Sequence, residues 1–261
     1  ALMRNNIIGA IKLMKLCSLN PPSYFFSVST DKATNPVNIM GASKTLMEKI
    51  ILSKKKKFRV ATARFANVAF SNGSLLDGFN FRLNKKQPLS CPSDIKRFFV
   101  THEQAGKICL LATFLGDTGN IFFPKLDFHS DQIYFKDIAL VYLKERGFEP
   151  VYMESEKEAK EFDLKSNLGK YPIYFFKTDT SGEKGYEEFF TKNEKIDLKK
   201  YNSIGFVSPD EIEISFKDVV KDFSKVFEES NNSKSSAIKV LKKYVPDFSH
   251  IETGKNLDQK M

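Results

Sequence analysis

Tryptophan is absent from this 261-residue sequence, and cysteine and histidine each occur only three times. Cys17, Cys91 and Cys109 form no CxxC pair and are odd in number, which excludes a disulfide framework and favours reduced thiols in a cytoplasmic protein. The three histidines are far apart in the sequence and match no ligand spacing of a zinc site. We therefore predict no metal site.

Long apolar runs are also missing, since no stretch reaches the roughly 18 consecutive apolar residues that a transmembrane helix requires. The first 17 residues follow a helical period with no cleavage site after them, so we expect no signal peptide. The sequence also has no initiator methionine, and we expect a processed or partial chain. Its 25 phenylalanines supply enough apolar surface for a sizeable core.

The net charge of +9 raises the possibility of nucleic-acid binding. The densest basic run, Lys54–Lys57, stands between an apolar helix and an apolar strand, where lysines stabilise a helix end through its dipole. No aromatic platform or zinc spacing accompanies the run, so we predict no nucleic-acid partner and keep that function only as an alternative. A basic protein also favours an anionic substrate such as a nucleotide.

Apolar periodicity predicts a helix, a strand, a helix and a strand in succession, at 6–17, 25–29, 39–53 and 58–65. This alternation is typical of a doubly wound parallel sheet. Later patterns predict three more helices, one that begins at residue 74, one that begins at residue 102 and one that ends near residue 147. They also predict strands at 98–100, 119–126 and 171–179. A polar tail follows from residue 191, with a helix at 215–230, a Ser/Asn-rich linker at 229–237 and a last short helix.

One absence concerns the binding of a dinucleotide, because the sequence has no G-x-G-x-x-G fingerprint between a strand and a helix. The turn that holds a pyrophosphate at a helix N-terminus is therefore missing from this chain. The stretch TSGEKGY at 180–186 is no P-loop, since no Ser or Thr follows its lysine, and we predict a turn.

The stretch STDKATNPVNIMGASK at 29–44 carries the side chains that are candidates for catalysis. They are a hydroxyl, a carboxylate, two ammonium groups and a thioether, on Thr30, Asp31, Lys32, Lys44 and Met40. The first three follow a strand, and in open α/β sheets ligands bind at the carboxyl ends of strands. Such a set can move protons where burial and charge tune the pKa values. The alternative is that Asp31 caps a turn and Lys32 is solvated.

This stretch closely resembles the signature of the nucleotide-sugar 4,6-dehydratases of the extended short-chain dehydrogenase/reductase superfamily. The most similar branch is the polysaccharide-biosynthesis group that acts on UDP-N-acetylglucosamine. The resemblance continues through RFANVAFSNGSLLDGF at 64–79 and QPLSCPSDIKRFFVTHEQAGKICLLA at 87–112. It is weaker in DTSGEKGYEEFF and in the closing KKYVPDFSHIETGKNLDQKM, and it covers most of the chain from Asn6 onward.

Most of this superfamily has Y-x-x-x-K, in which the tyrosine takes a proton from the substrate hydroxyl. In this sequence Met40 stands at the tyrosine position and Lys44 keeps its own. The substitution is typical of the UDP-N-acetylglucosamine branch. A thioether cannot act as a base, so the proton relay must run through other groups.

The resemblance implies conversion of UDP-N-acetylglucosamine to a UDP-4-keto-6-deoxy sugar, in surface polysaccharide or glycan biosynthesis, with transient hydride transfer to NAD or NADP. Thr30 would hydrogen-bond the C4 oxygen, Asp31 would assist loss of the C6 hydroxyl, and Lys32 would take the C5 proton. Lys44 would hold the nicotinamide ribose and place positive charge near the C4 oxygen.

The resemblance also implies binding residues. Asn6 and Ser29 would bind the cofactor region, with Asn6 supporting the site from behind. Asn67 would contact the nucleotide diphosphate, and Arg97 would bind the uridine or its phosphates through a bidentate guanidinium. Ser74 would bind a phosphate, although ordinary N-capping of its helix is an equal alternative.

The predicted fold is the C-terminal part of a Rossmann-like doubly wound sheet, a smaller α/β substrate-binding region and a helical tail, at 1–70, 71–190 and 191–261. The expected partners are a UDP-sugar and, in the full-length protein, further copies of the chain in a homo-oligomer. The missing fingerprint leaves open whether this polypeptide turns over alone. A nucleotide-sugar epimerase and a non-catalytic UDP-sugar-binding fragment are the alternatives.

Overall fold

A computed structural model describes the larger part of the chain, namely residues 2–53, 58–179, 182–228, 234–252 and 254. The predicted basic run Lys54–Lys57 lies outside the described residues, as do the first two residues of TSGEKGY and residues 229–233 of the predicted linker. Within the described ranges, no helix combines the length and the apolar character that crossing a membrane requires.

Strands form throughout the described part of the chain, and helices separate most of them. The strands are β1 (Tyr24–Thr30), β2 (Arg59–Phe65), β3 (Asn67–Val68), β4 (Leu89–Pro92), β5 (Lys96–Val100), β6 (Ile121–Pro124), β7 (Gln132–Tyr134), β8 (Glu149–Met153), β9 (Lys170–Phe176), β10 (Ile196–Asp197) and β11 (Ile204–Val207). The α-helices are α1 (Ala10–Leu19), α2 (Ile39–Leu52), α3 (Leu75–Asn84), α4 (His102–Leu115), α5 (Phe135–Glu145), α6 (Glu156–Glu161), α7 (Phe216–Glu228) and α8 (Lys234–Tyr244). A π-helical turn (Arg4–Gly9) precedes α1, and a 3₁₀ turn (Asp31–Ala33) follows β1.

Five strands build the larger sheet in the order β1-β2-β6-β11-β10. β1 pairs with β2, and β2 with β6, in parallel, whereas β11 and β10 add antiparallel strands at the far edge. Successive side chains of β2 point to opposite faces of the sheet, and helices cover both faces. Val60 packs in a cluster with α1, α2, α7 and α8, whereas Ala61 and Ala63 pack in a cluster with α4. The predicted alternation of helices with parallel strands is therefore confirmed.

Contacts divide the described residues into two units. The first unit takes Ala1–Ala66, Glu103–Lys125 and Glu187–Ile251 and holds the five-stranded sheet. The second unit takes Asn67–His102, Leu126–Tyr186 and Glu252–Met261. It holds two three-stranded sheets, β3-β5-β7 and β4-β9-β8, and α3 and α5 pack on the second of these.

The two units alternate along the chain, whereas the three predicted regions are consecutive. Residues 103–125, predicted within the substrate-binding region, supply α4 and β6 to the first unit. The predicted linker needs one correction, because residues 234–237 form the first turn of α8. Its Ala237 is buried against the core, and this packing fixes a helix where the composition suggested a linker.

Candidate active site

The first unit places Thr30, Asp31 and Lys32 together at the carboxyl end of β1. The Thr30 hydroxyl donates to Asp31 Oδ1 at 2.9 Å and caps the 3₁₀ turn by accepting from the Lys32 backbone N–H at 3.4 Å. Lys32 Nζ lies 3.1 Å from Asp31 Oδ1. A hydroxyl, a carboxylate and an ammonium group thus meet at one carboxylate oxygen.

Asp31 is buried, with 1% of its surface exposed. Its Oδ1 accepts both contacts of the turn, and within the described residues its Oδ2 has no hydrogen-bond partner. A buried carboxylate oxygen without a partner costs free energy, and native proteins rarely keep one without a reason. Asp31 Oδ2 is therefore suited to accept a hydrogen bond, or a proton, from a bound hydroxyl group.

Helix α2 sits close against this turn. The Asn38 side chain caps the helix by accepting from the Gly41 N–H at 2.8 Å, and the Thr45 hydroxyl donates to the Ala33 carbonyl at 2.6 Å. A Cβ at Gly41 would lie 2.3 Å from the carbonyl oxygen of Lys32. Glycine at this position therefore permits the approach of helix and turn.

Lys44 and Met40 lie on α2. Lys44 Nζ donates to the Val28 carbonyl at 3.2 Å and lies 3.9 Å from Met47 Sδ. Partial burial lowers the pKa of Lys44, and the charge of Glu48 opposes that shift in part. The Met40 side chain is half-buried and offers no proton-transfer group.

Asn6 supports α2 from the π-helical turn Arg4–Gly9. Its Nδ2 donates to Ser43 Oγ at 2.9 Å, and Ser43 Oγ donates to the Met40 carbonyl at 2.7 Å. This chain of hydrogen bonds ties the N-terminal segment to the first turns of α2. A direct role of Asn6 in cofactor binding stays a prediction.

Ser29 belongs to a buried ionic network. Its hydroxyl donates to Glu48 Oε1 at 2.5 Å, and Arg64 binds both oxygens of Glu48 at 3.1 and 2.9 Å. Arg64 also binds Glu194, and although burial works against its charge, the two carboxylates raise the pKa of the guanidinium. The Ser29 hydroxyl is thus engaged with protein, and its predicted role in cofactor binding remains untested.

The sequence analysis missed Glu187, which belongs to the same unit. Its side chain is 4% exposed, and its Oε1 lies 4.0 Å from Lys32 Nζ. The neighbouring Glu188 accepts from Asn35 Nδ2 at 3.1 Å, and Asn35 has a positive φ of 44° just after the turn. The only sequence signal was a Glu-Glu pair directly before Phe-Phe, which does not reveal which side chain is buried.

In the second unit, Asn67 and Ser74 make local contacts. Asn67 Nδ2 donates to the Phe98 carbonyl at 3.1 Å and so joins β3 to β5. The Ser74 hydroxyl caps α3 by accepting from the Asp77 N–H at 3.2 Å. The N-capping alternative for Ser74 is thus observed, and phosphate binding by either residue stays a prediction.

Arg97, also in the second unit, is 3% exposed. Its guanidinium contacts the Glu183 carboxylate and donates to the carbonyls of Lys96, Lys184 and Gly185. It therefore fastens residues 183–185 onto β5. Its contact with a nucleotide stays a prediction.

Within the described ranges, no group of three or more His, Cys, Asp and Glu side chains could hold a metal ion. For a nicotinamide cofactor, the fit rests on two groups of the first unit, the partly buried Lys44 with its lowered pKa and the partnerless Oδ2 of Asp31. These groups suit the nicotinamide ribose end of a cofactor. The residues of this sequence supply no G-x-G-x-x-G cradle for a pyrophosphate.

Comparisons with known proteins connect this geometry to named relatives. The chain is 30% identical over 213 residues to Uncharacterized membrane protein MJ1061 of Methanocaldococcus jannaschii, covering 79% of this chain and 58% of that protein. It is 26% identical over 208 residues to a UDP-glucose 4-epimerase of Rickettsia bellii, covering 74% and 60%. It is 30% identical over 132 residues to an inverting UDP-N-acetylglucosamine 4,6-dehydratase of Campylobacter jejuni, covering 48% and 39%. The chain thus spans less than two thirds of each of these relatives.

Solved structures show the same fold. The X-ray structure of Pen from Bacillus thuringiensis superposes with a TM-score of 0.62 at 22% identity, covering 82% of this chain and 60% of that chain. A dTDP-glucose 4,6-dehydratase from Bacillus anthracis in complex with NAD superposes with a TM-score of 0.50 at 14% identity, covering 70% and 58%. The Rossmann-like fold class predicted from the sequence is therefore confirmed. Because a family model described as "Polysaccharide biosynthesis protein" matches residues 1–209, the chain belongs to that family.

Proposed function

We propose that the protein containing this chain is a nucleotide-sugar 4,6-dehydratase that acts on UDP-N-acetylglucosamine in polysaccharide biosynthesis. One observation carries the proposal: a buried Asp31 with a partnerless oxygen lies beside the Lys32 ammonium at the carboxyl end of β1. Dehydration needs an acid for the leaving hydroxyl and a base for a carbon-bound proton, and these two groups can fill both roles.

A balanced cycle can be written with these residues. As hydride leaves C4 of the sugar, Asp31 Oδ2 takes the proton of the C4 hydroxyl, which Thr30 orients, and a 4-keto sugar forms. The ketone acidifies C5–H, and Lys32, whose ammonium has first released a proton to solvent, takes the C5 proton as the free amine. Asp31 then gives its proton to the C6 hydroxyl, which leaves as water. Hydride returns to C6 and Lys32 returns its proton to C5, so the net change is the loss of one water.

Residues of the first unit would also bind the cofactor. Lys44 would hold the nicotinamide ribose and place its positive charge near the C4 oxygen as that oxygen becomes negative. Asn6 and Ser29 would hold α2 and β1 in place around the cofactor. A bound NAD or NADP supplies the acceptor and later the donor of the hydride. Asn67, Ser74 and Arg97 of the second unit are proposed to bind the UDP moiety.

The similarity to the Campylobacter jejuni dehydratase and the presence of methionine at the Y-x-x-x-K tyrosine position both support the dehydratase proposal. A nucleotide-sugar 4-epimerase is the second candidate, because the Rickettsia bellii epimerase aligns with 74% of this chain. An epimerase would share the first hydride step, and its product would keep the mass of the substrate. A cytoplasmic location and a homo-oligomeric state remain predictions.

Two matched variants test the proposal. Each is made in the natural polypeptide that contains this chain and is assayed with NAD and UDP-N-acetylglucosamine. Lys32→Ala should abolish formation of the keto sugar while cofactor binding, followed by nucleotide fluorescence, persists. Lys12→Ala removes an exposed lysine of α1 and should leave turnover unchanged. Wild-type turnover in Lys32→Ala would overturn the assignment of the base.

A further inference from the structure

Residues 187–190 are fastened to the sheet of the first unit by aromatic and polar contacts. The rings of Phe189 and Phe190 pack on Phe123 of β6, with centroid distances of 5.9 and 5.1 Å. Arg64 of β2 donates to the Phe189 carbonyl at 2.9 Å. These anchors hold the segment near the carboxyl ends of β2 and β6, the edge at which β1 also ends.

A second connection joins this segment to the catalytic turn. Asn35, two residues after the turn, donates to Glu188 at 3.1 Å. Glu188 points into this exposed contact, whereas Glu187 is 3% exposed and directs its carboxylate toward Lys32 Nζ at 4.0 Å. The contacts of Glu188 and Phe189, which follow Glu187 directly, therefore help to set the direction of the Glu187 side chain.

Lys32 consequently lies between two buried carboxylates. Asp31 is 3.1 Å from its Nζ and Glu187 is 4.0 Å away, while the Lys32 side chain itself is 26% exposed. One carboxylate would suffice for a structural ion pair. The second carboxylate becomes important when the first loses its charge.

We propose that Glu187 is a positioning residue that holds Lys32 Nζ between the two carboxylates and supplies the negative charge that Asp31 gives up during the reaction. This inference rests on the proposed function. In the cycle above, Asp31 is a neutral acid at the moment when Lys32 carries the C5 proton as an ammonium ion. A partly buried ammonium without a counter-charge is costly, so a negative charge on Glu187 stabilises that intermediate.

The test uses Glu187→Gln, which removes the charge at nearly constant shape, with Glu188→Gln as the matched control. We expect kcat of Glu187→Gln to fall about 10- to 100-fold while KM changes less than about threefold, since a misplaced group costs rate rather than binding. Glu188→Gln keeps an oxygen that accepts from Asn35 and should stay within about threefold of the wild-type kcat. Glu187→Asp keeps the charge and should recover most of the activity.

A second readout does not depend on turnover. Competitive acetylation of Lys32 at fixed mildly alkaline pH, measured by peptide mass spectrometry, should be about fivefold faster in Glu187→Gln than in wild type or Glu188→Gln, because one anion near the ammonium is lost. If circular dichroism shows that Glu187→Gln does not fold, Glu187→Asp replaces it in this test. Its Lys32 should then be labelled faster than in wild type, but by less than about fivefold.

The two proposals fail in different ways. If the wild type makes no dehydrated product from UDP-N-acetylglucosamine, the proposed reaction fails, and the labelling rates still report on Glu187 and Lys32. If the wild type makes that product while Glu187→Gln matches it in kcat and in Lys32 labelling, the role of Glu187 is overturned. An equal loss of activity in Glu188→Gln would likewise overturn it, because the effect would then belong to the segment as a whole.

Discussion

Gly41→Ala is the substitution that should separate packing from chemistry most clearly. The added methyl group would lie 2.3 Å from the Lys32 carbonyl oxygen, 3.3 Å from its carbon and 3.2 Å from Pro36 Cβ. The nearest atoms belong to the backbone of the 3₁₀ turn Asp31–Ala33, so no flexible side chain can move aside. Restoring ordinary contact requires a displacement of about 1 Å between α2 and the turn that carries Asp31 and Lys32.

That displacement sets the size of the losses in stability and in activity. Overpacking of this kind costs about 1–3 kcal/mol of unfolding free energy, and a shift of about 1 Å in catalytic groups costs about 100-fold in kcat. The control is Gly78→Ala in α3, where a Cβ meets no atom within 4 Å. In a helix interior this change should stabilise the protein by about 0.5–1 kcal/mol and leave kcat unchanged.

Urea unfolding followed by circular dichroism and steady-state assays of keto-sugar formation would measure both effects. Gly41→Ala should lose stability and activity together, and Gly78→Ala should gain stability alone. A Gly41→Ala protein that is as stable and as active as the Gly78→Ala control would refute the close approach of α2 to the turn.

Three further predictions concern buried charge and burial. Glu48→Gln removes a carboxylate from the buried Arg64 guanidinium and should lower the free energy of unfolding by about 3 kcal/mol in urea titrations; an unchanged midpoint would contradict the network. Burial raises the pKa of Cys91 to about 12, so Ellman's reagent should modify Cys91 only after unfolding, and rapid modification of the native thiol would contradict its position in the core. Burial lowers the pKa of Lys44, so the folded state is penalised for holding its ammonium at neutral pH and the penalty fades as pH rises toward the ordinary lysine value. The unfolding free energy of Lys44→Met minus that of wild type should therefore be largest near pH 7 and shrink by pH 10, and a difference independent of pH would disprove the shift.

The turn Asp31–Ala33 could be predicted from the sequence because its position depends on local signals. An apolar strand, a short polar stretch and an amphipathic helix occur in order, and Thr30, Asp31 and Lys32 follow the strand directly. The carboxyl end of a parallel strand then fixes where these side chains lie. The same periodicity predicted β1, α2 and β2 to within one or two residues.

The contacts that complete the site could not be predicted in this way. Glu187 is buried because Phe189 and Phe190 pack on Phe123, which is more than 60 residues earlier, and no local pattern reports that pairing. The short antiparallel strands β10 and β11 were missed for a related reason, since β10 lies in a charged stretch and forms only by pairing with β11.

The proposed dehydration leaves its mark at C5 and C6 of the sugar, where it can be followed in a single experiment. The natural polypeptide that contains this chain is incubated with UDP-N-acetylglucosamine and NAD in D₂O, and the nucleotide sugar is analysed by mass spectrometry and NMR. We expect a keto sugar that has lost one water and carries one deuterium at C5, because Lys32 exchanges its proton with solvent before returning it. A product isomeric with the substrate and without deuterium at C5 would contradict the account and establish an epimerase instead.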